Sequence, residues 1–214
     1  MIDAEMRQKL PIAESREDVL TSNVFGLLEL VEYKGLIEIL ATARNINGET
    51  CEKLQNKHLK IENVELWKNF GGVEPDVFVT LEDGTQFVIE VKYYGGEHNK
   101  RIVEEDEERI QGQLKKYMEI TDTDFLIYLT QNYSALKELS ENSREKEDQI
   151  YHIHWEEFND ELKKVKKLQG CEKNVFEKLI DYLDFKGFEI WQGFQYRPEK
   201  YDIDLTMKGF YNDK

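Results

Sequence analysis

The sequence predicts an α/β fold with a mixed central sheet flanked by helices. Three observations predict it: an amphipathic helical pattern near the start of the chain, three strand patterns in succession, and helical and strand segments that alternate afterwards. The 214 residues are enough for one medium-sized domain with a sizeable core. Hydrophobic residues make up 40% of the chain and charged residues 34%, which is typical of a globular protein with a highly charged surface.

The individual elements follow from periodicity. Apolar residues from Leu20 to Val31 recur at helical spacing, which predicts a helix over 16–32, and further helix is expected within 34–58. The later elements are strands at 61–67, 77–81 and 87–93, a helix marked by Val103, Ile110, Leu114 and Tyr117, strands at 125–129 and 150–155, and helices near 156–168 and 173–186. The aromatic-rich tail from Phe188 is predicted to be extended or hairpin-like.

Charge and composition restrict the partners of the chain. The formal net charge of −15 argues against a broad nucleic-acid-binding surface, because phosphate contacts usually require a basic one. Any such surface must be a local basic patch, or a separate partner must bring the nucleic acid. Cys51 and Cys171 match no metal-ligand spacing and are expected to be reduced thiols. Because neither a signal-peptide pattern nor a membrane-spanning apolar run is present, we expect a cytoplasmic protein without a membrane partner.

Two charged residues stand in the middle of an apolar strand. Glu90 and Lys92 alternate with Ile89 and Val91, so they share one face of the strand. Polar groups buried in such a setting cost roughly several kcal/mol when they are left unpaired. Glu90 and Lys92 therefore need each other, a metal ion, or a solvent-filled cleft.

The length of the preceding loop decides whether Asp76 joins them. A two-residue turn would place Asp76 opposite Val91, on the wrong face, whereas a three-residue loop over Glu82–Gly84 places it opposite Glu90. Gly84 favours the three-residue loop, because it stands where a left-handed backbone is required.

A carboxylate pair in this register would lie close enough to share one divalent cation. Mg²⁺ suits the pair, because it takes few protein oxygens and keeps water molecules that can act as nucleophile. Lys92 would then orient or help to deprotonate the water, or stabilise charge on a phosphate. The alternative is a salt-bridged cluster of Asp76, Glu90 and Lys92 with only a structural role.

The motif Pro75-Asp76, thirteen residues, then Glu90-Val91-Lys92 resembles the signature of the PD-(D/E)XK nuclease superfamily. The resemblance implies a restriction-endonuclease-like αβββαβ core, a nuclease-like domain over 1–170, and a C-terminal helix and extended segment over 171–214 packed on the same domain. It further implies that Asp76 and Glu90 bind Mg²⁺ or Mn²⁺, that Lys92 serves the attacking water, and that DNA is the substrate, with RNA left open. Proteins of this kind often serve in restriction, phage defence, repair or mobile elements, and the sequence does not choose among these.

Glu17 lies on the apolar side of the first predicted helix, within about 20° of Val24 and Leu28 at 100° per residue. Its surroundings resemble a Glu-(Asn/Asp)-x-x-Thr motif of several PD-(D/E)XK families, which implies that Glu17 assists at the active site. The alternative is an acidic residue favoured by the dipole of the first helical turn.

Gln113 and Tyr117 are one helical turn apart, with Arg109 one turn earlier. The pair is similar to a Gln-x-x-x-Tyr element that follows the catalytic strands in some members of the superfamily, which implies that these three residues contact DNA. The alternative is a partly buried tyrosine and a surface glutamine.

His152 and His154 share one face of a predicted strand, and we favour a pair of satisfied histidines over a metal site. For the whole chain, three functions are weighed: a metal-dependent nuclease, a catalytically inactive nuclease-like fold acting as an acidic protein-interaction module, and a metal-dependent enzyme on another substrate. The complete set of Asp76, Glu90 and Lys92 favours the first, and the negative charge favours the second. A second copy of the chain or another protein is left open as a partner.

Overall fold

In the computed structural model of the chain, the five strands of the central sheet lie where the sequence patterns predict strands. The structure describes residues 2, 6–7, 16–56, 58–93, 99–104, 107–133, 135 and 147–190. Helices and strands follow in the order α1 (Arg16–Glu29), α2 (Leu36–Leu40), β1 (Ile61–Leu66), β2 (Val77–Leu81), β3 (Gln86–Val91), β4 (Asn99–Glu104), β5 (Glu107–Gly112), α3 (Gln113–Thr121), β6 (Phe125–Thr130), β7 (Ile150–His154), α4 (Trp155–Lys164) and α5 (Cys171–Phe185).

A five-stranded mixed sheet forms the centre of the fold, in the order β1-β2-β3-β6-β7. Strand β2 runs antiparallel to both β1 and β3. Strands β3, β6 and β7 run parallel to one another. Every residue of β6 is buried, as expected of a parallel strand that is covered on both faces. The predicted α/β fold, a mixed sheet flanked by helices, is confirmed.

Helices cover the two faces of the sheet unequally. Side chains of α1, α2, α4 and α5 pack on the face that carries Ile89 and Ile127, where the larger hydrophobic core lies. Leu114, Tyr117 and Met118 of α3 pack on the other face. Because α5 contributes to the larger core, the C-terminal helix packs on the same body as the sheet. The aromatic segment from residue 191 onwards lies outside the described residues.

The helix predicted from Val103 to Tyr117 is wrong over its first half. Residues 99–104 and 107–112 form the hairpin β4–β5, and α3 begins only at Gln113. Arg109 is therefore a strand residue paired with Ile102, and it does not precede Gln113 by one helical turn. The physical reason lies in the sequence, because β-branched residues favour strands and acidic residues four apart repel one another in a helix.

Two further expectations from the sequence concern the cysteines and membrane-spanning helices. Cys51 and Cys171 are both free thiols, the first buried and the second exposed. None of the helices in the described part of the chain is long and apolar enough to cross a bilayer.

Candidate active site

The β2–β3 hairpin has the register predicted from its loop. Val77 pairs with Ile89 and Thr80 with Gln86, so the same register continues to place Asp76 opposite Glu90. Leu81 N donates to Thr85 O over 2.9 Å, which closes a three-residue loop, and Gly84 has φ 85°. The left-handed conformation explains why glycine stands there. The expectation that Asp76 and Glu90 lie on one face of the sheet is confirmed.

Lys92 lies between two carboxylates at the end of β3. Its Nζ is 3.0 Å from Glu90 Oε1 and 3.3 Å from Glu17 Oε2. Glu90 is 1% exposed and Lys92 5% exposed, so both charges are buried. Asp76 Oδ2 accepts a hydrogen bond of 2.8 Å from Val91 N. The structure thus brings together the three residues of the sequence motif.

Glu17 reaches the same site from the first turn of α1. Besides its contact with Lys92, its Oε1 accepts a hydrogen bond of 3.4 Å from Tyr93 N. The Glu17 side chain therefore binds both the ammonium group of Lys92 and the backbone N–H of the next residue, Tyr93. This contact is more specific than the helix-dipole effect offered as the alternative for Glu17.

Gln113 and Tyr117 approach Glu90 from the first turns of α3. Gln113 Nε2 donates to Glu90 Oε1 over 3.1 Å and also to the hydroxyl of Tyr117. Burial and the charge of Glu90 raise the pKa of Tyr117 to about 12, so its hydroxyl stays protonated. Gln113 is thus a partner of the carboxylate pair. Arg109, the third residue expected beside them, lies on β5.

The site carries excess negative charge. Burial raises the pKa of both Asp76 and Glu90, and burial together with the nearby Asp76 carboxylate brings the pKa of Glu90 to about 8. The negative charge of Asp76 opposes ionisation of Glu90, so the protonated form of Glu90 is favoured at neutral pH. Burial alone would lower the pKa of Lys92, but Glu90, Glu17 and Asp76 outweigh it and raise the pKa above its ordinary value. Three acidic side chains around one ammonium group favour a cation at the site.

The oxygen atoms of the site fit a small divalent cation. Glu90 Oε2 and Gln113 Oε1 are buried and have no hydrogen-bond partner among the described residues. Within the same part of the chain, no group of three or more His, Cys, Asp or Glu side chains is arranged to hold a metal. Two carboxylates would therefore be the protein ligands. Mg²⁺ and Mn²⁺ suit such a set, because Mg²⁺ is usually held by one or two carboxylates and keeps several waters.

Trp155 positions the end of β3, just beyond Glu90, a role that the sequence did not reveal. Its Nε1 donates to Lys92 O over 3.1 Å, and its ring stacks on Phe188 at 5.1 Å. Phe188 in turn meets the edge of the Tyr93 ring at 5.5 Å. A tryptophan whose indole N–H is buried needs a hydrogen-bond acceptor, so the sequence indicates that an acceptor exists. It does not indicate which carbonyl group is the acceptor.

His152 and His154 share a face, as predicted, with ring centroids 4.4 Å apart. Burial and the neighbouring His154 lower the pKa of His152 to about 3, so it is neutral. Its Nε2 is buried without a hydrogen-bond partner among the residues that the structure describes. His154 Nδ1 is likewise buried without a partner among these residues, so the expectation of a satisfied pair is wrong for both of these atoms.

Comparisons with protein-family models, with curated proteins and with solved structures each find no match for this chain. The chemistry proposed for the site therefore depends on its own geometry.

Proposed function

We propose that the chain is a metal-dependent nuclease that hydrolyses phosphodiester bonds of DNA, built on a restriction-endonuclease-like αβββαβ core. One observation carries the proposal: Asp76 and Glu90 lie in register on one face, Lys92 contacts Glu90 Oε1, and the buried Glu90 Oε2 has no hydrogen-bond partner among the described residues. The element order agrees with such a core, with the β4–β5 hairpin inserted before α3. RNA is the second substrate to test.

The carboxylates have the first role. Asp76 and Glu90 would hold Mg²⁺ or Mn²⁺, which when bound polarises a phosphoryl oxygen and lowers the pKa of a water molecule. Glu90 must lose its proton before it can act as a ligand, and its raised pKa opposes this loss at neutral pH, so metal binding should release a proton and strengthen as the pH rises. Gln113 keeps Glu90 in place through its hydrogen bond to Oε1.

Lys92 acts as a cation. Its raised pKa keeps the ammonium group charged, so of the roles considered for it, stabilising negative charge on the phosphate is favoured over accepting a proton from water. Glu17 holds the ammonium group from the other side, with Nζ to Oε2 at 3.3 Å. The lysine is therefore fixed before substrate arrives, which avoids reorganisation during the reaction.

The second candidate function is an inactive nuclease-like fold that acts as an acidic protein-interaction module. The net charge of −15 favours it, because the charge disfavours nucleic acid over most of the surface. The loss of stability caused by the buried charges of the site argues against this second function. Three acidic groups beside one buried lysine lower stability unless a ligand compensates them, and a module without chemistry would gain from apolar replacements.

Calorimetry separates the two candidates. Mg²⁺ and Mn²⁺ are titrated into the wild-type chain and into the double variant Asp76→Ala with Glu90→Ala. We expect binding to the wild type that the double variant abolishes, and Glu82→Ala, which removes an exposed carboxylate of the hairpin loop, should bind as the wild type does. No binding to the wild type would leave a salt-bridged hairpin and favour the interaction module.

Cleavage assays then test hydrolysis itself. Single- and double-stranded DNA and RNA are incubated with Mg²⁺ or Mn²⁺ and the wild type, Lys92→Ala or Lys173→Ala. Lys92→Ala should abolish cleavage while folding and metal binding persist. Lys173, which pairs with Glu177 on the surface of α5, is the matched control and should leave cleavage unchanged. Full cleavage by Lys92→Ala would contradict the role of this lysine.

A further inference from the structure

A second group of side chains lies beside the candidate active site and is not used by the proposed reaction. Tyr133 is 76% exposed, yet its ring packs on that of His154 with centroids 4.7 Å apart and planes inclined by 33°. His154 in turn meets His152 edge-on. Tyr133 OH donates to Glu156 Oε1 over 3.2 Å. These four residues are named here the Tyr133 cluster.

The Tyr133 cluster lies on the same face of the sheet as the catalytic residues. Glu90 pairs with Tyr128 on β6, and Tyr128 pairs with His152 on β7, so the three lie in one row across parallel strands. His154 follows His152 by two residues and therefore points to the same face. Two strand spacings correspond to about 10 Å, which is about three nucleotides at the stacked rise of about 3.4 Å.

The exposed ring of Tyr133 is held in one orientation. Glu156 is 8% exposed, and its Oε2 has no hydrogen-bond partner among the described residues, so its carboxylate is a fixed, buried acceptor for the tyrosine. Its charge raises the pKa of Tyr133, which keeps the hydroxyl protonated and donating. One face of the ring is covered by His154 and the hydroxyl is bound, so the ring is a rigid aromatic surface open on its other side.

We propose that Tyr133 and His154 form a stacking platform for one nucleobase of a single-stranded nucleic acid, about three nucleotides from the bond cleaved at Glu90 and Lys92. The proposal rests on the proposed nuclease function for the position of the bond. A base can stack on a protein ring only when its own face is free, which a single strand offers and the interior of a duplex does not.

The acidic charge of the chain restricts how this substrate can be bound. A chain of net charge −15 cannot depend on many phosphate contacts, and stacking supplies affinity that is independent of charge. Binding should therefore depend weakly on salt, with a slope of about one or two in log–log form, below that of a protein with 6–10 phosphate contacts.

Binding is measured in EDTA, so that no cleavage occurs, with single-stranded DNA and RNA oligonucleotides that carry a fluorescein for anisotropy and a 2-aminopurine as stacking reporter. Tyr133→Ala should weaken binding about 5- to 100-fold, the range expected for loss of one stacked base, and should abolish quenching of the 2-aminopurine. Tyr133→Phe keeps the ring and should bind within about threefold of the wild type. Phe185→Ala, which removes another exposed aromatic ring from α5, is the matched control and should bind as the wild type does.

The outcomes separate this proposal from the nuclease function. Wild-type affinity in Tyr133→Ala, or tighter binding of duplex than of single strands, overturns the platform even if Mg²⁺-dependent cleavage is present. Loss of binding in Tyr133→Ala without any cleavage by the wild type supports the platform and rejects the hydrolysis. No binding of any single strand by the wild type overturns the platform. Thermal unfolding of each variant checks that the exposed substitution leaves the fold intact.

Discussion

Replacing Glu90 by Gln should remove a pH dependence from the stability of the chain. Burial and the Asp76 carboxylate raise the pKa of Glu90 from 4.5 to about 8 in the folded state, so the fold favours the protonated form. The contribution of Glu90 to the free energy of unfolding is therefore fully present below about pH 4.5 and is lost as the pH rises through about 8. The difference between a pKa of 4.5 and one of about 8, at about 1.4 kcal/mol for each tenfold change in the acid constant, gives an upper bound of about 5 kcal/mol on this contribution.

Urea denaturation in EDTA between about pH 5 and about pH 9 measures this effect. The free energy of unfolding of the wild type should fall across the range by a few kcal/mol, and Glu90→Gln should flatten the profile. Glu82→Gln, an exposed carboxylate in the loop of the same hairpin, should keep the wild-type slope. Mg²⁺ at the alkaline end should restore stability to the wild type and not to Glu90→Gln. Parallel profiles for the wild type and Glu90→Gln would refute the buried-carboxylate reasoning.

Three further substitutions test single contacts. Trp155→Phe should lower the free energy of unfolding by about 1–3 kcal/mol in denaturation, because it leaves Lys92 O buried without its donor, and should slow cleavage. Gly84→Ala should cost about 1–2 kcal/mol, because alanine disfavours φ 85°, and should weaken Mg²⁺ binding in calorimetry as the register loosens. Gln113→Leu should weaken Mg²⁺ binding about 10- to 100-fold, because the partner of Glu90 Oε1 is lost.

Controls for these substitutions lie elsewhere in the chain. Trp67 is 37% exposed, so Trp67→Phe should change stability little. Gly26 lies within α1 with open space where a Cβ would stand, so Gly26→Ala should not destabilise the chain. Equal losses in the free energy of unfolding for Gly84→Ala and Gly26→Ala would show that the left-handed conformation of Gly84 is not the cause of the destabilisation. An unchanged Mg²⁺ dissociation constant for Gln113→Leu would show that the amide does not support the carboxylates.

The register of the β2–β3 hairpin was predictable because two local signals agree. The alternation of Glu90 and Lys92 with apolar residues fixes which face they share, and Gly84 fixes the length of the loop. Glu17 was predictable for a similar reason, since a charged residue on an apolar helical stripe needs a partner. In both cases the residues that allow the prediction lie close in the chain to the residue whose position is predicted.

The contacts that sequence reasoning missed join distant segments. Nothing near Trp155 indicates that its indole bonds the carbonyl of Lys92, and nothing near Tyr133 indicates its bond to Glu156. The placement of Arg109 failed for a different reason. A spacing of four residues before Gln113 suits a helix, but the spacing does not show that a helix continues that far. Arg109 instead belongs to the local β4–β5 hairpin, where it pairs with Ile102.

The β4–β5 hairpin has a consequence for how such a chain can diversify. Among the described strands, β4 and β5 pair only with each other, and they lie in the chain between β3, which ends at Val91, and α3, which begins at Gln113. A hairpin joined at these two points can be lengthened, shortened or exchanged between related chains while the residues at both ends stay where they are. Grafting a hairpin of different charge in place of 99–112 would therefore change this segment while the central sheet and the proposed active site keep their residues.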